Sequence, residues 1–279
     1  MCIRDSCYCG VYITAESWLN NSVNNDNRGR ALSLYMIVQM IGIVAAQGVL
    51  ALGDPNGYSL FIIISILVSI SFAPILLSIS PTPAFERTKA MSLLQLFKNS
   101  PLGCVGMFLL GGVFSAQFGM SAVFGSQIGL SLSQISLFVA AFYIGAMIFQ
   151  YPIGWISDRM DRRLLILLIS ASSALGSVCA YFAGDYFFAL VFAAFLVGGL
   201  SNPLYSLLIA HANDFIEYED MASAAAGLLF VNGIGAISGP LIIGYAMESF
   251  GAEIFFIIIF LLMITLAFYA GYRMTQRAT

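Results

Sequence analysis

Between Asn99 and Ser157 the chain carries no Asp, Glu, Lys or Arg. A soluble domain cannot sustain such a run, because about a quarter of its residues are charged and its rim must be wetted. One bilayer crossing takes about 20 apolar residues, so the run holds two crossings joined by a polar turn. The same imbalance runs through all 279 residues, of which 60% are hydrophobic and 9% charged. Lipid is therefore the solvent around most of this chain. No water is available there to satisfy backbone groups, and the alternation of barrel strands is absent, so each crossing is expected to be a helix.

Apolar runs between turn residues give a remnant at about 7–20 and eight complete helices. These lie at about 31–52, 58–80, 102–125, 133–156, 164–183, 186–210, 221–247 and 254–272. The breaks carry turn chemistry, as in Gly53-Asp54-Pro55-Asn56-Gly57, Ser80-Pro81-Thr82-Pro83 and Ala183-Gly184-Asp185. The start is anomalous. Residues 1–6 have neither the apolar core of a signal peptide nor a permease-like tail, and they read as a non-native prefix on a gene fragment.

Charge segregates between alternate loops. One set holds Arg28 and Arg30, then Arg87, Lys89 and Lys98, then Arg159, Arg162 and Arg163, and finally Arg273 and Arg277. The other set holds only Asp54, Asp185, Glu248 and Glu253. The positive-inside rule places the basic loops and the C-terminus in the cytoplasm. A miscounted helix would destroy this segregation, so it also supports the spans. The long basic loop at 81–100 reads as a linker between a partial bundle at 7–80 and a six-helix bundle at 101–279. Laying 31–52 on 221–247 with Gln39 over Asn232 also brings Gly42 over Gly235, a weak sign of repetition.

Little points to chemistry. The five cysteines lack metal or redox spacing, Cys104 and Cys179 read as packing residues, and no cofactor or metal site is expected. Nothing suggests nucleic acid. A membrane-embedded enzyme needs clustered His, Asp or Glu beside its spans, yet His211 is the single histidine. With Asn213, Asp214, Glu217, Glu219 and Asp220 after it, His211 reads as a gate or solvated cap. A receptor would carry an output domain, which is also missing from the pattern.

The segment Gly154-Trp155-Ile156-Ser157-Asp158-Arg159-Met160-Asp161-Arg162-Arg163 resembles the G-x-x-x-D-R-x-G-R-R/K loop of the major facilitator superfamily. It follows the second helix after the linker, the position that loop takes in each half of the family's bundle. Asp161 stands where the signature has Gly. Ala15-Glu16-Ser17-Trp18-Leu19-Asn20 with Arg28-Gly29-Arg30-Ala31 resembles the loop after helix 4, and Ser238-Gly239-Pro240 with Gly244 resembles helix 11. The resemblance covers nearly all of 15–272. It implies an incomplete, all-α, two-bundle transporter of bacterial type in the inner membrane, monomeric at full length, that moves a small solute by alternating access.

On that resemblance, Gly154, Asp158, Arg159, Arg162 and Arg163 form a cytoplasmic gate motif. Gly154 would allow close helix approach, Asp158 would accept bonds from basic partners or helix amides, and the arginines would reach that lock. Anchoring to anionic lipid is the plainer alternative. Polar residues inside spans are costly unless they pack or bind. Gln39, Gln117, Tyr143, Asn202 and Asn232 lie near mid-span, with Gln150 and Tyr205 closer to the basic ends. Each alone fits an interhelical hydrogen bond, while as a group at least two are expected to line a solute cavity. Gly235 and Gly239 fit close packing, and Pro240 a bend.

No complete span holds a charged residue at its middle. A proton or other coupling ion would then use boundary groups such as Glu16 or Asp214, or a carboxylate ahead of this sequence, or no coupling exists. Drug–proton antiport is the neighbouring alternative. The helix at 31–52 lacks the proline of the drug-efflux signature, which argues mildly against it. With much of one bundle missing, the chain alone is expected not to transport.

Overall fold

The computed structural model describes residues 25–54, 57–74, 91–184, 186–217 and 220–276, together with residue 11. Among these residues every regular element is helical. The chain divides into two units, 1–87 and 88–279. The expected prefix at 1–6, the remnant at 7–20 with Glu16 (residue 11 apart), and the first half of the linker, 81–90, lie outside the described residues.

The first unit contains α1 (Asn25–Leu52) and α2 (Ser59–Ser71). Leu34–Ala51 within α1 is long and apolar enough to cross a membrane. The 13 residues of α2 are too few by themselves. The span expected at 58–80 runs on past residue 74, beyond the described part.

The second unit opens with α3 (Leu93–Asn99), so the back of the expected linker is helical rather than a loop. The reason is local and tertiary. Ser92 and Gln95 form a reciprocal capping box, Leu96 is buried, and Met91 N donates to Ser223 Oγ at 2.7 Å. Six crossings follow. The first is α4 (Pro101–Phe114), a π-helical turn (Ser115–Met120) and α5 (Ser121–Gln127) end to end. Then come α6 (Leu132–Ser157) and α7 (Arg162–Phe182). The fourth crossing is α8 (Phe187–Ser201) with α9 (Leu204–Asn213), broken at Asn202-Pro203 where one unbroken span was expected. The last two are α10 (Met221–Phe250) and α11 (Ile254–Gln276). All six meet the length and hydropathy of a membrane span.

Three helix pairs make the most extensive contacts: α7 with α11, α6 with α8, and α4 with α10. Two of these pairs share one device. On α4, Phe108-Leu109-Leu110-Gly111-Gly112 meets α10, where a Cβ added at Gly235 would overlap Phe108 O and crowd Gly112 N. On α8, Phe195-Leu196-Val197-Gly198-Gly199 meets α6, where a Cβ at Gly145 would overlap Phe195 O and crowd Gly199 N. The reciprocal contacts match as well, since a Cβ at Gly111 would overlap Asn232 O and one at Gly198 would overlap Phe142 O. Three crossings separate the beginning of α4 from the beginning of α8, an odd number, so the two motifs run in opposite directions through the membrane. The unit is thus two three-span repeats of opposite sense, each supplying the Gly-Gly helix that the other's second helix grips. Gly42, laid over Gly235 by the sequence comparison, has nothing within 4 Å of an added Cβ.

Gly239 also sits in the α4–α10 seam, where an added Cβ would overlap Ser115 Oγ. Pro240 lies inside α10 without ending it, and its ring leaves the Ala236 carbonyl without an i+4 donor. Gly235→Ala is expected to lower stability by about 1–3 kcal/mol, because backbone carbonyls cannot yield as side chains do. Gly233→Ala, two residues away on α10 with nothing within 4 Å of its Cβ, should be neutral or slightly stabilising. Thermal unfolding of both variants in detergent checks the contrast.

Candidate functional site: an aromatic ledge backed by buried amides

The two Gly-Gly helices lose regularity just after their glycines. The first widens into the π turn at Ser115–Met120, near the middle of its crossing. The second breaks at Asn202-Pro203, because Pro203 offers no N–H to the Gly199 carbonyl. Disturbed backbone inside a membrane needs new partners, and small polar side chains supply them. Ser115 Oγ donates to Gly112 O at 2.7 Å and Ser121 Oγ to Gln117 O at 2.6 Å. Across the unit, Ser201 Oγ donates to Val197 O at 2.7 Å and Asn202 Nδ2 to Gly198 O at 2.9 Å.

The two irregular points are joined to each other. Gln117 Nε2 donates to Ser201 Oγ at 2.7 Å, and Asn202 Nδ2 donates to Gln117 Oε1 at 3.0 Å. Gln117, Ser201 and Asn202 are all buried. This is a closed polar pin between the first and fourth crossings.

Beside the pin lies a ledge of four aromatic rings from three crossings. Phe118 stacks on Tyr143 with centroids 4.8 Å apart, Phe114 lies 5.2 Å from Phe118, and Tyr205 lies 6.2 Å from Phe114. Tyr143 is buried, whereas Phe118 is 43% exposed. The remaining sequence candidates make other hydrogen bonds. Asn232 Nδ2 donates to Met107 O at 2.9 Å and ties α10 to α4. Gln150 Nε2 donates to Ser206 Oγ at 3.1 Å and ties α6 to α9. Gln39 Nε2 donates to Tyr35 Oη at 3.0 Å within α1. The structure therefore gathers Gln117, Asn202, Tyr143 and Tyr205 into one place and adds Phe114, Phe118 and Ser201. The Phe114-x-x-x-Phe118 spacing was the available signal for the two phenylalanines.

At the basic end the Asp-Arg loop has its own geometry. Arg162 ion-pairs with Asp214 at the end of α9 and also donates Nε to Ser157 Oγ at 3.4 Å. Asp158, 73% exposed, stands 3.9 Å from the Arg162 guanidinium. Arg159 folds back over the Trp155 ring at 3.9 Å and donates to Trp155 O at 2.9 Å. Within this unit an added Cβ at Gly154 would meet nothing within 4 Å, so the expected close approach is not made there.

Asp161, in the position where the loop signature has Gly, caps α7. It adopts φ −58°, which any residue can hold, and accepts from Arg163 N at 2.8 Å. The Arg163 guanidinium closes a clamp on the same carboxylate at 2.9 Å. Those hydrogen bonds hold the Asp161 carboxyl below the usual carboxylate range.

A sequence profile of the Major Facilitator Superfamily matches residues 103–278. The chain belongs to that superfamily, and it is an integral membrane protein. Over 252 residues it is 26% identical to an uncharacterized MFS-type transporter of Enterobacter sp. (strain 638), covering 89% of this chain and 65% of the relative. It is 24% identical over 251 residues to the uncharacterized MFS-type transporter YcaD of Escherichia coli O17:K52:H18, with the same coverage. A Yersinia enterocolitica MFS-type transporter, also uncharacterized, is 26% identical over 251 residues, again covering 89% of this chain and 65% of the relative. The chain thus spans about two thirds of the length of these relatives, 65% in each case.

Two measurements test the site's architecture. Removing either member of the Gln117–Asn202 pair, as Gln117→Leu or Asn202→Ala, should destabilise the chain by about 1–2 kcal/mol. The double variant should cost less than the sum, with a coupling of about 0.6–1.7 kcal/mol. For the clamp, Asp161→Asn keeps a capping acceptor but loses the ion pair. Because folding lowers this carboxyl's pKa, the clamp's contribution is complete above the free aspartate value of about 3.9 and vanishes as pH falls through the lower folded value. The melting temperatures of wild type and Asp161→Asn should therefore differ at neutral pH and converge in acid.

Proposed function

We propose that the protein is a secondary transporter that moves a small, flat or amphipathic solute by alternating access in a bacterial inner membrane, its C-terminus cytoplasmic. The aromatic ledge carries this proposal. Four rings beside two interrupted helices near mid-membrane are the kind of mostly apolar surface with a few placed polar groups that binds small organic molecules. Phe118 and Tyr205 meet the solute, Tyr143 supports the stack, and the Gln117–Ser201–Asn202 pin holds the two irregular helices at fixed separation. Asn232 and Gln150 fasten helices and do not bind.

Arg162 and Asp214, with Asp158 alongside, act as the latch on the cytoplasmic side. Asp214 serves this latch, since Arg162 already holds it, and is not the coupling group. Arg159 and Arg163 shape the loop around the latch. The ring surface suits an aromatic or amphipathic compound, and efflux of such a compound in exchange for protons is the second reading.

Alternating access requires the ledge to meet water. In a variant with its cysteines replaced, Phe118→Cys and Tyr205→Cys should react with a membrane-impermeant maleimide. Leu175→Cys, at a position 65% exposed on the apolar side of α7, should stay silent because it faces lipid. Labelling from each side of the membrane in turn supports the transport cycle. If Phe118→Cys is as silent as Leu175→Cys, the ledge is a lipid-facing or packing surface and the proposal fails.

A further inference from the structure

A second recess lies at the basic end of the six-span unit, away from the aromatic ledge, and solute passage has no use for it. It opens where four crossings end or begin, a narrow recess of about 20 Å³, room for one water, that widens at its mouth. Ser100 and Pro101 at the start of α4 form one wall, and Arg163 at the start of α7 forms the next. His211 and Phe215 near the end of α9, and Arg273 in the last turn of α11, close it. His211 is buried and stands edge-on to Phe215, with ring centroids 5.1 Å apart.

The charges around this recess do not balance internally. Asp161 is clamped by Arg163, and Asp214 is taken by Arg162. Arg273 is half-buried, and among the described residues it forms neither an ion pair nor a hydrogen bond. A guanidinium drawn partly out of water without an acceptor is costly, and its planar fork matches phosphate oxygens two at a time. The start of α4 adds the positive end of a helix dipole to the same wall. The same two helices, α7 and α11, expose Leu164, Leu168, Phe268 and Tyr272, apolar surface of the kind acyl chains cover.

We propose that the mouth of this recess binds a phosphate-class oxyanion, gripped by Arg273 with Arg163 and the start of α4 beside it. The phosphate comes either from the headgroup of an anionic phospholipid or from free inorganic phosphate. Basic recesses between transmembrane helices at this depth suit a headgroup, and the exposed apolar residues on the same two helices favour the lipid source.

The test is native mass spectrometry of the full chain in detergent, titrated with phosphatidylglycerol, with phosphatidylcholine and with inorganic phosphate. One phosphatidylglycerol should bind more tightly than any phosphatidylcholine, and Arg273→Gln should weaken it about tenfold. Arg273→Lys should retain part of the affinity, because it keeps the charge and loses only the fork. Arg159→Gln, equally basic but outside the recess, should leave affinity within about twofold. Displacement of the lipid by inorganic phosphate would identify the free anion as the ligand, and resistance to displacement would identify the headgroup. Equal binding of the two lipids with no phosphate effect, or equal losses in Arg273→Gln and Arg159→Gln, would overturn the proposal. Should Arg273→Gln fail to purify as a folded chain, Arg273→Lys decides alone, since an affinity unchanged from wild type then counts against a forked grip.

Discussion

Two helices in lipid have no hydrophobic reason to associate, because the acyl chains around them are as apolar as their own side chains. Closeness has to supply the attraction, and in the six-span unit glycine supplies the closeness. At the α4–α10 and α6–α8 seams, backbone lies directly against backbone, with carbonyls occupying the space a methyl group would need. Many small dispersion contacts and short carbonyl approaches become available at that range and at no greater one. The polar pin, the aromatic ledge and the offset of the crossings all take their positions from these two seams.

On both Gly-Gly helices the irregular backbone follows the glycines, at Ser115–Met120 and at Asn202-Pro203. At the first point the seam continues, with Gly239 against Ser115 and Gly119 facing Pro240. The disturbance costs a few backbone bonds, which Ser115, Ser121, Ser201 and Asn202 make good. Gln117 then joins the two irregular points, so the unit's most deformable places are tied to each other rather than to lipid.

Much of the architecture was legible in the sequence because it depends on one partner, the bilayer. The positions of the spans in the second unit follow from what lipid excludes. The features missed depend on a second helix. The break at Asn202 looked like the interior of a single span, because proline is common in membrane helices and only the partner's Gln117 shows what the interruption is for. Phe114 and Phe118 were hidden among 23 phenylalanines, marked only by their i, i+4 spacing until the rings they stack on were seen. In the Asp-Arg loop, sequence grouped Asp158 with three arginines, while the cross-helix pair is Arg162 with Asp214. Nothing in a linear pattern says which of three adjacent arginines points toward another loop. Asp161 was read as a departure from a signature, although a helix start can be shaped by a capping carboxylate as well as by a flexible residue.

The crossed pairing of the repeats also orders the assembly of the chain. Neither three-span half can satisfy its own Gly-Gly helix: the groove on α4 is filled by α10, and that on α8 by α6. During synthesis α4 therefore enters the membrane long before its partner exists, and it waits with a bare backbone seam while three further crossings are laid down. The α6–α8 seam can close first and must hold the growing bundle open enough to admit α10 late. A chain built in this way matures from the inside of its sequence outward, and any ribosomal pause before α10 would leave an inserted but unlocked protein in the membrane.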